Sequence, residues 1–173
     1  MKIFEQALDH IADRMKSRNS DLRKIVLTGY SFEEWFNWEA YLACIDSKLQ
    51  AEAKPSYSRF GLSKSQIKGD LYLEAPNDSA LLEFGTVHDW TGDRQLEKLE
   101  RDRQKLLEAK KDKTVPIELI QALVLASKVT DFVELPIWKD WLNKLSFWTM
   151  NPDYHNEVKL LPEGKIIIMA WII

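Results

Sequence analysis

The segment IKGDLYLEAPNDSALLEFGTVHDW, residues 67–90, decides how the rest of the chain is read. It holds two β-prone runs, LYLEA and SALLEFGTV, joined by Pro76-Asn77-Asp78-Ser79, residue types that favour a turn. Alternation puts Lys68, Asp70, Tyr72 and Glu74 on one face of the first run, with Leu71 and Leu73 on the other. In the second run Leu81, Glu83 and Gly85 share a face opposite Leu82 and Phe84. That run has almost no polar alternation, as in a strand buried on both faces. The short turn makes the runs an antiparallel pair, with Asp70 and Glu83 on the same side and close together. Two converging carboxylates repel each other unless a proton or a cation intervenes. Hard, oxygen-seeking Mg²⁺ suits such a pair.

Working outward, Ile3, Phe4, Leu8, Ile11 and Met15 have the spacing of an amphipathic helix over residues 2–17, which Arg18-Asn19-Ser20-Asp21 breaks. A second helix begins at SFEEWFNWEAYLACI, where Ser31 with Glu34 forms the pattern of a capping box. AEAKPSYSRF (51–60) is β-prone but interrupted by Pro55, which predicts an edge strand. After residue 90 a charged helix runs from Asp93 to Lys110, capped by Thr91 or Asp93, with Leu96, Leu99, Leu106 and Leu107 as its inner stripe. TVPIELIQALVLAS (114–127) reads as a buried strand, at least in its first half, or as a short helix. LPIWKDWLNKL (135–145) is a helix with Pro136 in its first turn. EVKLLPEGKIIIMAWII (157–173) is a hairpin turning at Pro162-Glu163-Gly164. With no repeat, low-complexity tract or dividing linker, a single α/β domain over residues 1–173 is expected.

Composition narrows the classes. The 173 residues are 45% hydrophobic and 29% charged, as in ordinary globular proteins, and suffice for a proper core. No apolar run reaches the length of a membrane span, the N-terminus lacks a signal-peptide pattern, and Cys44 is the only cysteine. A cytoplasmic protein without membrane partners is expected. The net charge of −3 gives no global attraction to nucleic acid. Seven tryptophans point to an aromatic-rich core or a contact surface. His10, His88, His155 and Cys44 have no ligand spacing that would suit zinc, and no Gly-rich phosphate loop is present. Arg59, Lys54, Lys64 and the stretch SKSQIK form a small basic cluster, fit either to grip a phosphate backbone or to sit solvated on a hairpin. RQLEKLERDRQKLLEAKKDK is mixed in sign and reads as a solvated helix face rather than a nucleic-acid stripe.

A further acid stands out on the second helix. The neighbours of Glu39 one turn away are Trp35, Phe36, Leu42 and Ala43, so its charge needs a partner on an inner face. Glu39 on a helix, Asp70 thirteen residues before Glu83, the run ALLEFG and a following helix with Gln95 together resemble the PD-(D/E)xK nuclease superfamily over roughly residues 31–125. That resemblance implies a restriction-endonuclease-like mixed sheet flanked by helices, with an αβββαβ core extended by a C-terminal helix and β-hairpin. It implies metal-dependent hydrolysis of nucleic-acid phosphodiester bonds, most of all in DNA. Asp70, Glu83 and the Phe84 carbonyl would hold Mg²⁺ or Mn²⁺. Glu39 would assist the metal, and Gln95 or Lys98 would position water or a phosphate.

The chain departs from the superfamily pattern where it matters most. Two residues after Glu83, where the pattern has a lysine, stands Gly85. An ammonium there would orient the attacking water and offset charge on the phosphate, an electrostatic contribution of several kcal/mol by analogy with other such groups. Either Lys68 or Lys98 replaces it, or the scaffold has lost cleavage, or Gly85 is a substitution particular to this sequence; a glycine in an apolar strand also marks a bulge or a close backbone approach. The alternative from another class is a non-catalytic interaction protein on the same scaffold. In that case a homodimer could cover the apolar strand IIIMAWII. The plainest alternative is a folded body whose acids are paired with Lys68 and its neighbours.

Overall fold

The computed structural model describes residues 1–61, 66–89, 91–111, 116–148 and 150–173. Its centre is a six-stranded mixed sheet. The strands are β1 (Gln50–Ala53), β2 (Leu71–Ala75), β3 (Asp78–His88), β4 (Glu118–Ser127), β5 (Tyr154–Lys159) and β6 (Lys165–Ile172), in the spatial order β1-β2-β3-β4-β6-β5. All neighbours are antiparallel except β3 and β4, which are parallel. A parallel pair needs a crossover, and α4 (Asp93–Ala109) supplies it.

The hairpin at 75–78 closes with Ala75 opposite Asp78, and the ladder runs back to Leu71 opposite Leu82. One step further the Asp70 amide donates at 3.2 Å to the carbonyl of Leu82, the residue already opposite Leu71, so the regular register stops there and Asp70 lies just outside the ladder. TVPIELIQALVLAS proves to be strand along most of its length, since β4 is buried from Leu119 to Ser127.

Helices cover both faces. On one side α1 (Ile3–Ser17) and α3 (Glu33–Asp46) set Phe4, Leu8, Ile11, Phe36 and Ala40 against Leu71, Leu73, Leu82 and Phe84. On the other, Leu99 of α4 and Trp138 of α5 (Pro136–Leu142) join Leu123, Leu125, Phe147 and Trp171, while Leu106 joins Tyr57, Leu81 and Leu119. Tryptophan therefore serves mainly the core here, although Trp38 is 49% exposed.

Several expectations need correction. Residues 18–21 do not end the helical region: α2 (Asn19–Thr28) follows α1 after the single residue Arg18 and stops at Gly29, whose φ of 71° is the left-handed conformation that favours glycine. Ser31 does not cap α3, whose N-cap is Phe32 without a side-chain bond; for α4 it is Gly92 rather than Thr91 or Asp93. The Thr91 hydroxyl instead accepts from the His88 amide at 2.7 Å. The strand IIIMAWII is not an edge. It lies within β6 and is paired on both sides, with β4 and β5, so it offers no open ladder to a second copy. Among the described residues no helix is long and apolar enough to cross a membrane.

Candidate functional site

Asp70 and Glu83 meet where β2 begins and β3 runs on alone past it. Asp70 is 9% exposed and fully engaged. Its Oδ1 accepts from the Asn37 amide of α3 and from the Lys54 ammonium, both at 2.9 Å, and its Oδ2 accepts from the Phe84 amide at 2.9 Å. Lys54 grips Asp70 twice, because its own amide donates to the Asp70 carbonyl at 3.1 Å. It does so from a φ of 53°, a left-handed conformation that costs a lysine about 1 kcal/mol or more.

Glu83 is 2% exposed. Its Oε1 accepts from the Tyr57 hydroxyl at 2.7 Å and from the Lys105 ammonium at 3.1 Å. Burial, then the nearby Asp70 charge, pushes the Glu83 carboxyl up to about 8, against the opposing pull of Lys105 and Tyr57. Burial and Glu83 also hold the Tyr57 hydroxyl protonated far above its ordinary range, which keeps it a donor.

A ladder of charges continues along α4. Asp102, 5% exposed, accepts from Lys98 and Lys105, each at 2.7 Å, and Lys98 reaches on to Glu33 of α3 at 2.9 Å. Burial works against the Lys98 ammonium, but Asp102 and Glu33 outweigh it and raise its pKa. For Lys105, Glu83 and Asp102 outweigh burial in the same way. The Gln95 amide donates to Glu33 at 3.1 Å and to the Thr86 carbonyl at 3.0 Å, tying α4 to α3 and β3. Counting Glu34, which sits 3.5 Å from Lys54, five carboxylates (Glu33, Glu34, Asp70, Glu83, Asp102) share three ammoniums (Lys54, Lys98, Lys105). With Glu83 ionised the shortfall is two positive charges.

Gly85 has a packing reason. A Cβ built there would lie 1.9 Å from Leu99 Cδ2 and 3.4 Å from Leu123 Cδ2. Leu99 thus packs onto the strand where the superfamily pattern would have a lysine side chain, and α4 sits close enough for Lys105, six residues on, to reach Glu83.

Neither lysine expected to replace it touches Asp70 or Glu83. Lys68 is exposed, and its backbone forms an isolated bridge with Ser56. Lys98 binds Glu33 and Asp102, two helical turns before Lys105, the lysine that reaches Glu83. Glu39 is likewise remote from this cluster in its bonding. It is 6% exposed and paired with Arg14 of α1 and with Arg18 at 3.3 Å, so its inward charge is explained by an ion pair. Of the basic hairpin cluster, Lys54 belongs to the site and Arg59 pairs with Glu52, while Lys64 lies outside the described residues. Asn37, Tyr57, Asp102 and Lys105 were not foreseen, and Lys54 was expected as a phosphate contact or a solvated cation rather than as the partner of Asp70. Only for Lys105 did the sequence hold a signal, since positions 98, 102 and 105 follow helical spacing on one face.

Several buried polar atoms have no hydrogen-bond partner among the described residues, the Thr86 hydroxyl and the Trp141 indole nitrogen among them. Gln121 of β4 is fully buried and stands beside Glu83 in the parallel ladder, yet neither its amide nitrogen nor its oxygen is hydrogen-bonded. Buried Cys44 is no candidate nucleophile: burial pushes its thiol up to about 12.

As a set of donors for a hard cation, the residues fit in chemistry. Two carboxylates converge, and since the amide and carbonyl of one strand residue open on the same edge, the Phe84 carbonyl lies on the Asp70 side. Among the described residues no three carboxylate, imidazole or thiol groups stand close enough to enclose a metal by themselves. Comparison of the chain with family models, with curated proteins and with solved structures gives no match.

Proposed function

We propose that this protein is a nuclease-like hydrolase of nucleic-acid phosphodiester bonds on a restriction-endonuclease-like scaffold. The order α3-β1-β2-β3-α4-β4, with β3 and β4 parallel, is the arrangement such a scaffold would have. The observation that carries the proposal is the Lys105 ammonium on Glu83. It puts a positive charge beside the acid pair from a helix, where Gly85 puts none from the strand. Mg²⁺ or Mn²⁺, held by Asp70, Glu83 and the Phe84 carbonyl, would polarise the phosphate and lower the pKa of a water. The two-charge deficit of the cluster is what one divalent ion would neutralise. Asn37 and the Phe84 amide fix the Asp70 carboxylate, and Tyr57 orients Glu83. Asp102 holds Lys105 toward the reacting phosphate, and Lys98 adds charge beside it.

Cation binding tests this directly and has a pH signature. Below about pH 8 the Glu83 carboxyl carries a proton that a metal must displace. Affinity for Mn²⁺ should therefore rise toward tenfold per pH unit up to about 8 and then level off. Calorimetry in buffers of different ionisation enthalpy should show close to one proton released per metal at pH 7. Absence of Mg²⁺ and Mn²⁺ binding, or binding unchanged in Asp70→Asn, overturns the proposal.

A second reading has its own observation. Each central acid already holds an ammonium, Lys54 on Asp70 and Lys105 on Glu83, as in a scaffold retained for binding alone. Metal titration separates the two, because a pair closed by lysines binds no cation.

A further inference from the structure

We propose that the flank of α4 is a binding track for the phosphodiester backbone of a single nucleic-acid strand. An open cavity of about 530 Å³ lies against this helix, lined by Lys98, Arg101, Asp102, Gln104, Lys105 and Glu108. Helical spacing sorts the mixed charges of the sequence. Lys98, Arg101 and Lys105 follow one another at intervals of three and four residues on one flank. Arg94, also exposed, extends the row by a turn.

Of the acids in the lining, Asp102 is taken up by Lys98 and Lys105, and Glu108 stands at the far end. Arg101 is exposed and forms no ion pair among the described residues, so the row contains an unspent cation between two that touch the acid site. Arg101 is thus the cation of this lining left free to meet a phosphate, while Lys98 and Lys105 on either side of it are shared with Glu33, Glu83 and Asp102. From Lys98 to Lys105 the helix rises about 10.5 Å. Among the described residues the lining comes from a single helix. One row of cations follows one backbone, whereas a duplex presents two backbones about 12 Å apart across its major groove.

This inference rests on the phosphodiester reading of the site, but its test needs no cleavage. Fluorescence anisotropy of a labelled single-stranded 12-mer, and of the corresponding duplex, is measured over a salt series. The proteins compared are the wild type, Arg101→Ala, Arg101→Glu and Asp70→Asn, each checked by thermal melting. Wild type should bind the single strand more tightly than the duplex. Arg101→Glu should weaken single-strand binding tenfold or more, and Arg101→Ala should reduce the salt slope by about 0.7, one phosphate contact. Because Arg101 is exposed and unpaired, both variants should melt like wild type. Single-strand binding indifferent to Arg101, or a preference for duplex, overturns the track. If Arg101 governs binding while Asp70→Asn binds as wild type and no protein cleaves, the hydrolase proposal fails and the track stands.

Discussion

Gly85→Lys, which would place a lysine where the proposed nuclease pattern has one, is expected to lower stability by about 3 kcal/mol or more without raising hydrolysis. Any Cβ at position 85 meets the Leu99 methyl at 1.9 Å, and Leu99 is fully buried. Overpacking of this kind costs roughly 1–3 kcal/mol, and the rest of a lysine side chain must then be forced beneath α4. For a chain of this length that corresponds to a fall in melting temperature of roughly 6–12 °C. Thermal denaturation of Gly85→Lys, Leu99→Ala and the double variant supplies the check. The double variant should be more stable than the sum of the two losses, because shortening Leu99 opens the space that lysine needs. An unchanged melting temperature together with faster hydrolysis would show that the helix leaves room after all.

The second large effect is at Asp70. Replacing it with alanine leaves the Lys54 ammonium, the Asn37 amide and the Phe84 N–H without their acceptor. Breaking a buried pair from one side costs about 3–5 kcal/mol. The lower end is expected here, because Lys54 is 38% exposed and water can compensate it. Asp70→Asn retains an acceptor oxygen and should lose only about 1–2 kcal/mol. Hydrolysis should fall to background in both. Denaturant unfolding alongside an oligonucleotide cleavage assay separates the effects, since stability should distinguish Ala from Asn while activity should not. An Asn variant that cleaves normally would remove Asp70 from the chemistry.

How far the sequence could be followed depended on whether a feature was local. That Asp70 and Glu83 come near each other follows from counting back from a short turn, although the regular pairing stops at Leu71 and Leu82. Burial of Glu39 was visible in its apolar neighbours on α3. What covers that face was not, since Arg14 comes from a helix 25 residues earlier. The break seen at residues 18–21 reflected polar residues that in fact begin α2, where exposure makes their polarity harmless. Lys105 could not be assigned because its reach depends on how deeply α4 docks. That depth is set by Leu99 on Gly85, a contact between two elements that no periodicity within either one reveals.

Gln121 bears on how much stability this architecture could have reached. A leucine in its place would join Leu119, Leu123 and Trp171 on the same side of the sheet. It would spare the chain an unbonded amide, a penalty of roughly 1–3 kcal/mol. The folded protein therefore operates beneath the ceiling its own topology permits, and the concession is made one strand away from Glu83.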